Sequence, residues 1–310
     1  MERRRLGATG LEVSALAFGA SSLGQEFRPI ELPDAMRTVR AALDAGINLI
    51  DTSPFYGRGT SEVLLGFALR GVPRDSYVLS TKLGRYDLAT FDFRAARVVE
   101  SVEVSLKRLG TDHLDLVFCH DVEFVDLAGI ASETLPALRK LQREGKVRFV
   151  GVAGYPLKIF REILTRTELD VILSYSHYTL QNTTLAELLP LFAARGTGVL
   201  NAAPWAMRLL TNEGPPQWHK ADPELRGLCA KAAALCRARG SSLAKLALQF
   251  AAHRPEIAST ICGTANPARI PEWTRWLAEP FDEALAADVR ALLAPARDRA
   301  YVEGLPENNE

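Results

Sequence analysis

The chain has 310 residues, of which 47% are hydrophobic and 24% are charged. This composition is ordinary for a globular protein with a large core, and the length allows one domain or two. The formal net charge is zero, which argues against nucleic acid or an anionic membrane surface as the main partner.

The N-terminal stretch "RRRLGATGLEVS" predicts a small hairpin that turns at Ala8-Thr9-Gly10, with its arginines on a solvated strand edge. A basic start followed by apolar residues can resemble a signal peptide, but Glu12 and the turn residues interrupt any apolar segment. No window holds the roughly 18 apolar residues of a membrane span. The cysteines form no CxxC pair, which is typical of a reducing compartment, so we predict a cytoplasmic protein.

Short apolar runs rich in β-branched or aromatic residues recur along the chain and predict strands. They cover 13–19, 47–51, 77–82, 114–120, 147–153, 170–175, 198–203 and 258–264. Stretches with helical spacing lie between them, among them 34–46, 94–110, 133–146 and 242–253. This alternation predicts a (β/α)₈ TIM barrel of the α/β class, preceded by the hairpin.

An open dinucleotide-binding sheet is the rival fold, but "FGASSLG" does not supply the glycine pattern that it requires after the first strand. No linker divides the chain, so we expect one domain over 1–310. The irregular stretch 207–225 follows a strand end and predicts a substrate lid. The polar tail, about 297–310, is expected to be frayed.

Three ionisable residues end successive predicted strands: Asp51 the second, Lys82 the third and His120 the fourth. Active sites of such barrels lie at these strand ends, so the three side chains should share one mouth, with Tyr56 on the loop beside them. A lysine beside a phenol favours the phenolate, an aspartate keeps the lysine charged, and a histidine can orient a substrate oxygen. The set predicts proton exchange with an alcohol or carbonyl, with hydride carried by a nicotinamide cofactor.

The segments "INLIDTSPFYGRGTSEVLLG", "LSTKLG" and "DHLDLVFCHD" resemble the aldo-keto reductase superfamily. Its Asp, Tyr, Lys and His tetrad matches Asp51, Tyr56, Lys82 and His120. The resemblance implies a (β/α)₈ barrel that binds NAD(P)(H) in an extended form without the Rossmann motif. "GVLNAAPWAMRLLTNEGPPQWHKADPEL", "DVILSYSHYTL" and "GVAGYPL" are similar to a narrower branch, the L-galactose dehydrogenases and D-threo-aldose 1-dehydrogenases, including L-fucose dehydrogenases.

That branch implies oxidation of the anomeric carbon of an aldose to a lactone, with Tyr56 taking the proton of the C1 hydroxyl. L-galactose, L-fucose and D-arabinose remain open as the substrate. The expected cofactor contacts are Gly19, Ala20, Ser21, Asp51, Ser174, Ala203, Pro204, Met207, Leu209, Gly263, Thr264 and Arg269. Tyr56, His120, Asp121 and Trp218 are the expected substrate contacts.

The sequence departs from the family pattern in three places. Ala153-Gly154 replaces the Ser-Asn that usually holds the carboxamide, and Ala202 stands where many members stack a tyrosine on the nicotinamide. We therefore assign the carboxamide contact to Ser174. Gly263 replaces a lysine that NADP-preferring members often carry, which predicts NAD⁺, although Arg269 leaves NADP⁺ possible.

Other functions remain open at this point. One is NADPH-dependent reduction of aldehydes or ketones, and another is a cofactor-binding regulatory barrel without turnover. A metal-dependent hydrolase would need ligands such as Asp51, His120, Asp121 and His177, and we predict no metal. Trp218 has two interpretations, a face for a sugar ring or a loop aromatic packed on the barrel rim. A monomer and a homodimer are both compatible with the sequence.

Overall fold

The computed structural model describes residues 1–25 and 29–310. Its eight parallel strands close into a barrel in chain order, which confirms the predicted fold. The strands are β3 (Leu16–Gly19), β4 (Leu49–Asp51), β5 (Val78–Leu83), β6 (Leu114–His120), β7 (Val147–Gly154), β8 (Val171–Tyr175), β9 (Gly198–Ala202) and β10 (Ser259–Gly263). The predicted hairpin is also present as β1 (Arg3–Arg5) paired antiparallel with β2 (Glu12–Ser14).

Side chains alternate between the inside of the barrel and the helix layer, as the period of two in a strand requires. In β4, Leu49 belongs to the inner apolar cluster and Ile50 to the outer one. Leu6 and Val13 of the hairpin region join the inner cluster. The hairpin therefore closes the N-terminal end of the barrel and leaves the C-terminal end as its mouth.

The helices cover the barrel and pack most of the outer apolar cluster against the strands. They are α1 (Leu32–Asp44), α2 (Thr60–Ala68), α3 (Ala95–Leu109), α4 (Leu127–Gly129), α5 (Leu135–Arg143), α6 (Leu157–Leu164), α7 (Leu189–Ala194), α8 (Pro223–Ala238), α9 (Leu243–Ala252), α10 (Arg269–Ala278) and α11 (Glu283–Leu292). A separate apolar cluster joins α8, α9 and α11. No helix in the described residues is long and apolar enough to cross a membrane.

The predicted solvated edge of the hairpin is wrong for Arg4. Only 10% of its side chain is exposed. Its guanidinium donates to the backbone carbonyls of Ala252 at 2.8 Å and of Arg254 and Ile257 at 3.1 Å. The guanidinium of Arg4 thus provides hydrogen-bond donors for carbonyls at and beyond the C-terminus of α9, which is the negative end of the helix dipole. Arg3 and Arg5 are exposed, as predicted.

The predicted frayed tail also needs correction. Asn308 is buried, and its Nδ2 donates to the carbonyls of Glu123 and Val125 at 2.9 Å each. Farther back, Arg299 forms an ion pair of 2.6 Å with Asp222, the N-cap of α8. These contacts hold the tail against the loop that follows β6 and against the end of the predicted lid.

Candidate active site

Asp51 and Lys82 form a buried ion pair inside the barrel mouth. Lys82 Nζ lies 2.6 Å from Asp51 Oδ2, and the two residues are 2% and 3% exposed. Nζ also donates to the carbonyl of Thr52 at 2.8 Å, and Ser80 Oγ donates to Asp51 Oδ1 at 2.8 Å. Burial opposes the charge on Lys82, but Asp51 and Tyr56 together raise its pKa. Each charge therefore has a partner in a region of low dielectric, where an unpaired charge would be strongly unfavourable.

Tyr56 lies above this pair, on the short 3₁₀ turn Tyr56–Gly59 that follows β4. Lys82 Nζ is 4.9 Å from the centroid of its ring. Burial raises the pKa of Tyr56 to about 12, and the neighbouring Lys82 opposes that rise. The sequence correctly predicts the direction of the lysine's effect. It does not predict that desolvation outweighs this effect, because burial depends on how the loop packs.

His120 meets the ring of Tyr56 edge to face, with the ring centroids 5.8 Å apart. Its Nδ1 lies 3.0 Å from Ser53 Oγ, which also accepts the backbone N–H of Phe55 at 3.1 Å. Nε2 faces the carboxylate of Asp121 at 3.5 Å. A carboxylate only accepts hydrogen bonds, which favours the tautomer with the ring proton on Nε2 and with Nδ1 accepting the Ser53 hydroxyl. Burial, together with the cations Lys82 and Arg85, lowers the pKa of His120 well below 6.5. The imidazole is therefore neutral.

Asp121 follows His120 directly and lies at the same mouth. Its Oδ2 is 3.5 Å from His120 Nε2 and 2.5 Å from Nη1 of Arg85. Arg85 lies three residues after Lys82 and was missed by sequence reasoning. A cation just beyond the end of β5 was the available signal, since parallel strand ends converge at the mouth.

Glu123 and Tyr155 are two further buried groups that the sequence did not single out. Glu123 Oε1 accepts the backbone N–H of Tyr155 at 3.1 Å, while Oε2 has no hydrogen-bond partner among the described residues. Burial and the neighbouring Asp121 raise the pKa of Glu123 well above its usual range. The Tyr155 ring stacks on Tyr301 of the tail, with centroids 5.8 Å apart. The tail thereby reaches one side of the mouth.

Four of the predicted cofactor contacts meet where β3 and β10 end side by side. Gly263 pairs with Gly19, and a Cβ placed on Gly263 would lie 3.0 Å from the Gly19 carbonyl and 3.1 Å from Ser21 Oγ. Ala20 is fully buried, and its carbonyl accepts the hydroxyl of Ser61 at 2.7 Å. Gly263 is exposed and has no side chain, so the two strand ends form a backbone-lined cradle at Gly19 and Gly263 with the Ser21 hydroxyl at its edge.

Thr264 lies on the adjoining loop, and Arg269 is the first residue of α10. Thr264 Oγ1 accepts the backbone N–H of Asn266 at 3.0 Å, and Arg269, exposed at the start of α10, pairs with Glu272 at 2.7 Å. This position combines a cation with the positive end of a helix dipole.

The predicted contacts after β9 differ in exposure. Met207 is exposed and Ala203 is half-buried, and both have left-handed backbone conformations. Pro204 is buried, and the side chain of Leu209 belongs to the apolar cluster of α8, α9 and α11. Leu209 is therefore a core residue of that cluster rather than a side chain that opens to the mouth.

The assignment of Ser174 to the nicotinamide carboxamide needs correction. In β8, Leu173 belongs to the inner cluster and Ile172 to the outer one, so alternation directs Ser174 outward and Tyr175 into the mouth. Ser174 is fully buried, and its Oγ has no hydrogen-bond partner among the described residues. A shift of one residue in a strand moves every side chain to the opposite face, which explains the error.

The predicted lid segment carries Trp218 and His219 in contrasting environments. Trp218 is 60% exposed, which disfavours packing on the barrel rim. His219 is buried, with Nε2 3.0 Å from the carbonyl of Ala206 and Nδ1 accepting the backbone N–H of Ala221 at 3.0 Å. His219 thus links backbone groups at Ala206 and Ala221, whereas the side chain of Trp218 is exposed to solvent.

The residues proposed for a metal-dependent hydrolase do not form a ligand set. His177 Nδ1 lies 3.0 Å from the backbone carbonyl of Tyr175, and its ring packs on Tyr155 at 4.5 Å. Within 1–25 and 29–310, no group of three or more His, Cys, Asp or Glu side chains is arranged to hold a metal ion.

Comparison with known proteins decides the family. The model of the Aldo/keto reductase family matches residues 15–294. The chain belongs to the aldo/keto reductase family.

Several members of the family are similar over most of this chain. It is 45% identical to an L-galactose dehydrogenase of Arabidopsis thaliana, with 99% of each chain covered. It is 30% identical to a D-threo-aldose 1-dehydrogenase of Pseudomonas sp, with 91% of this chain and 94% of the other covered. Among solved structures, an aldo-keto reductase of Bacillus halodurans in a holo form superposes with a TM-score of 0.79 at 26% identity, and both chains are covered completely.

Aldo/keto reductases use a nicotinamide cofactor, and the residues of this chain fit one. Gly263 is exposed and has no side chain, so a ligand can approach the backbone of the cradle closely there. Ser21 supplies a hydroxyl at its edge, and Arg269 supplies a cation at a helix N-terminus, both suited to phosphate groups. The sequence-based expectation of a nicotinamide-dependent oxidoreductase therefore agrees with the family and with these residues.

Proposed function

We propose that this aldo/keto reductase is an NAD(P)-dependent aldose 1-dehydrogenase that oxidises the anomeric carbon of an L-galactose-, L-fucose- or D-arabinose-type sugar to its lactone. The observation that carries the proposal is the position of Tyr56 above the buried Lys82–Asp51 pair and beside His120. This arrangement presents one phenol, tuned by one buried cation, to a substrate oxygen at the barrel mouth.

In the proposed reaction, His120 Nε2–H donates a hydrogen bond to the C1 oxygen and holds it beside the phenol oxygen of Tyr56. Tyr56, as phenolate, receives the proton that leaves this oxygen as the C–H bond at C1 breaks. Lys82 stabilises the phenolate form of Tyr56, and Asp51 keeps Lys82 charged and in place. A bound nicotinamide supplies the acceptor for the hydride.

The names of similar proteins support a sugar substrate. Besides the L-galactose and D-threo-aldose enzymes, the chain is 37% identical to a D-arabinose 1-dehydrogenase of Saccharomyces cerevisiae, with 77% of this chain and 75% of the other covered. The charged pair Arg85–Asp121 beside His120 supports the same conclusion, because buried donors and acceptors at a substrate site suit a polyhydroxylated molecule better than an apolar one.

For the cofactor, we propose NAD⁺ as the preferred form. Gly263 supplies no cation at the cradle, and Arg269 already has an acidic partner in Glu272. A 2′-phosphate would therefore meet less positive charge here than in a site that also carries a lysine.

The test is the formation of NADH or NADPH, followed by absorbance, with purified protein and L-galactose, L-fucose, D-arabinose, L-rhamnose and D-glucose. We expect oxidation of the first three with NAD⁺. The raised pKa of Tyr56 keeps the phenol protonated near neutral pH, which favours reduction as the second candidate function. No oxidation of any sugar, together with NADPH-driven reduction of simple aldehydes, would establish that alternative instead. Tight NAD(H) binding without turnover in either direction would indicate a regulatory barrel.

A further inference from the structure

Arg85 and Asp121 form a fixed pair that the reaction described above does not use. They follow neighbouring strands, β5 and β6, and Nη1 of Arg85 lies 2.5 Å from Oδ2 of Asp121. Their side chains are 15% and 7% exposed. Asp121 has a left-handed backbone with φ of 53°, a conformation that a non-glycine residue keeps when its surroundings hold it there.

Aromatic rings hold the guanidinium of Arg85 in one orientation. It lies 4.2 Å from the ring centroid of Phe55, 5.2 Å from that of Phe124 and 5.3 Å from that of Phe91. Its Nε is buried and has no hydrogen-bond partner among the described residues. A cation stacked in this way loses little further freedom when it binds a ligand, so it is preorganised.

The pair lies directly beside the reacting position. Asp121 Oδ2 is 3.5 Å from Nε2 of His120, the atom that holds the C1 oxygen in the proposed reaction. An oxygen on the adjacent carbon of a substrate held there comes within reach of the carboxylate. A hydroxyl both donates and accepts, and Asp121 with Arg85 offers an acceptor and a donor side by side.

We propose that Arg85 and Asp121 together form the specificity-determining contact for the hydroxyl on the carbon next to the one that is oxidised. The carboxylate of Asp121 accepts a hydrogen bond from this hydroxyl. Arg85 holds the carboxylate in place and donates a hydrogen bond to the oxygen of the hydroxyl. The inference rests on the proposed function and specifies which part of the sugar is recognised. A substrate that lacks the hydroxyl leaves a buried charged pair without its partner, and this disfavours binding of the transition state.

The test compares L-galactose with 2-deoxy-L-galactose as substrates of the full-length wild-type protein and of Asp121→Asn, with kcat/KM measured for each. For the wild type we expect a preference for L-galactose of about 10- to 100-fold, the range for a hydrogen bond to a charged group. For Asp121→Asn we expect kcat/KM to fall with both sugars, because Arg85 loses its partner beside His120. The loss should be about tenfold larger with L-galactose, since only this sugar also loses a contact. Equal losses on both sugars overturn the inference and leave the proposed function standing.

Two further variants control for folding and for charge. Arg85→Gln, which retains a donor amide, should show the same selective loss, and it replaces Asp121→Asn if thermal unfolding shows that the latter is not folded. Asp92→Asn removes a carboxylate that pairs with Arg94 on the same β5–α3 segment and should leave both sugars unaffected. A selective loss in Asp92→Asn would contradict the assignment to Asp121. If the wild type oxidises none of L-galactose, L-fucose and D-arabinose, the proposed function fails, and this inference fails with it.

Discussion

The hydroxyl of Ser53 lies 3.0 Å from Nδ1 of His120 and accepts the backbone N–H of Phe55 at 3.1 Å. Ser53 is fully buried two residues after Asp51, so a single short segment supplies both the acid and the polar partner of His120 Nδ1. When Ser53 donates to Nδ1, the ring proton is on Nε2, where it can bind the C1 oxygen of the substrate in the proposed reaction.

We therefore expect Ser53→Ala to lower kcat about 10- to 100-fold, because Nδ1 loses its donor and the ring is no longer held as the Nε2–H tautomer. The affinity for cofactor should be unchanged, and Ser53→Thr should retain most of the activity. Nitrogen-15 shifts of the His120 ring report the tautomer directly. Ser105→Ala is a matched control, since it removes another buried hydroxyl, which bonds Glu62 at 2.7 Å. An unaltered tautomer in Ser53→Ala would contradict the role of Ser53.

Tyr56→Phe should lower kcat by a factor of about 10² to 10⁴, because it removes the group that exchanges the proton. The Kd for cofactor, measured by fluorescence titration, should stay within about twofold, since this change leaves the cradle at Gly19 and Gly263 intact. Activity within a few-fold of the wild type would show that another group moves the proton.

Oxidation should become faster as the pH rises through the alkaline range. Tyr56 accepts a proton only as phenolate, and because burial raises its pKa to about 12, the phenolate fraction grows toward that value. The pKa of His120 is lowered well below 6.5, so the pH–rate profile should show no further change in slope near neutral pH. Pre-steady-state rates of NADH formation with saturating sugar test this, with Tyr56→Phe as the variant that should lose the dependence. A change in slope near pH 6.5 would show that His120 titrates during turnover.

Gly263→Lys should improve the use of NADP⁺, lowering its KM about tenfold, because it adds a cation beside Ser21. The new Cβ would lie 3.0 Å from the Gly19 carbonyl, so the variant also introduces a steric strain. Gly263→Ala carries that Cβ without the charge and separates the two effects. If both variants change the NADP⁺ KM equally, the cradle is not the 2′-phosphate site.

Trp218→Ala should raise KM for the sugar more than KM for the cofactor, because the exposed indole offers an apolar face to the C–H side of a sugar ring. Steady-state kinetics with each substrate varied in turn give the two values. Phe67→Ala is the control, since Phe67 is also exposed but lies near the end of α2, away from the mouth. An unchanged KM for the sugar would show that Trp218 is a loop residue that does not contribute to sugar binding.

The sequence by itself determined the barrel and the position of Asp51, Lys82 and His120. Apolar runs of strand length alternate with helical periods, and in parallel β/α units the strand ends must meet at one edge. Residues that end successive strands are therefore neighbours before any coordinate is known. The nearby loop residue Tyr56 follows from the same argument, because its loop is too short to leave the mouth.

Only the tertiary structure decided which neighbours these residues meet. Whether Ser174 or Tyr175 points into the mouth depends on strand register, because a shift of one residue moves a side chain to the opposite face of the strand. The burial that raises the pKa of Tyr56 and the contact between Ser53 and His120 depend on packing between segments that are distant in the chain. The same is true of Arg4 at the end of α9 and of Asn308 against Glu123. Local patterns specify elements and their ends, whereas such contacts arise only when the closed barrel brings remote backbone groups together.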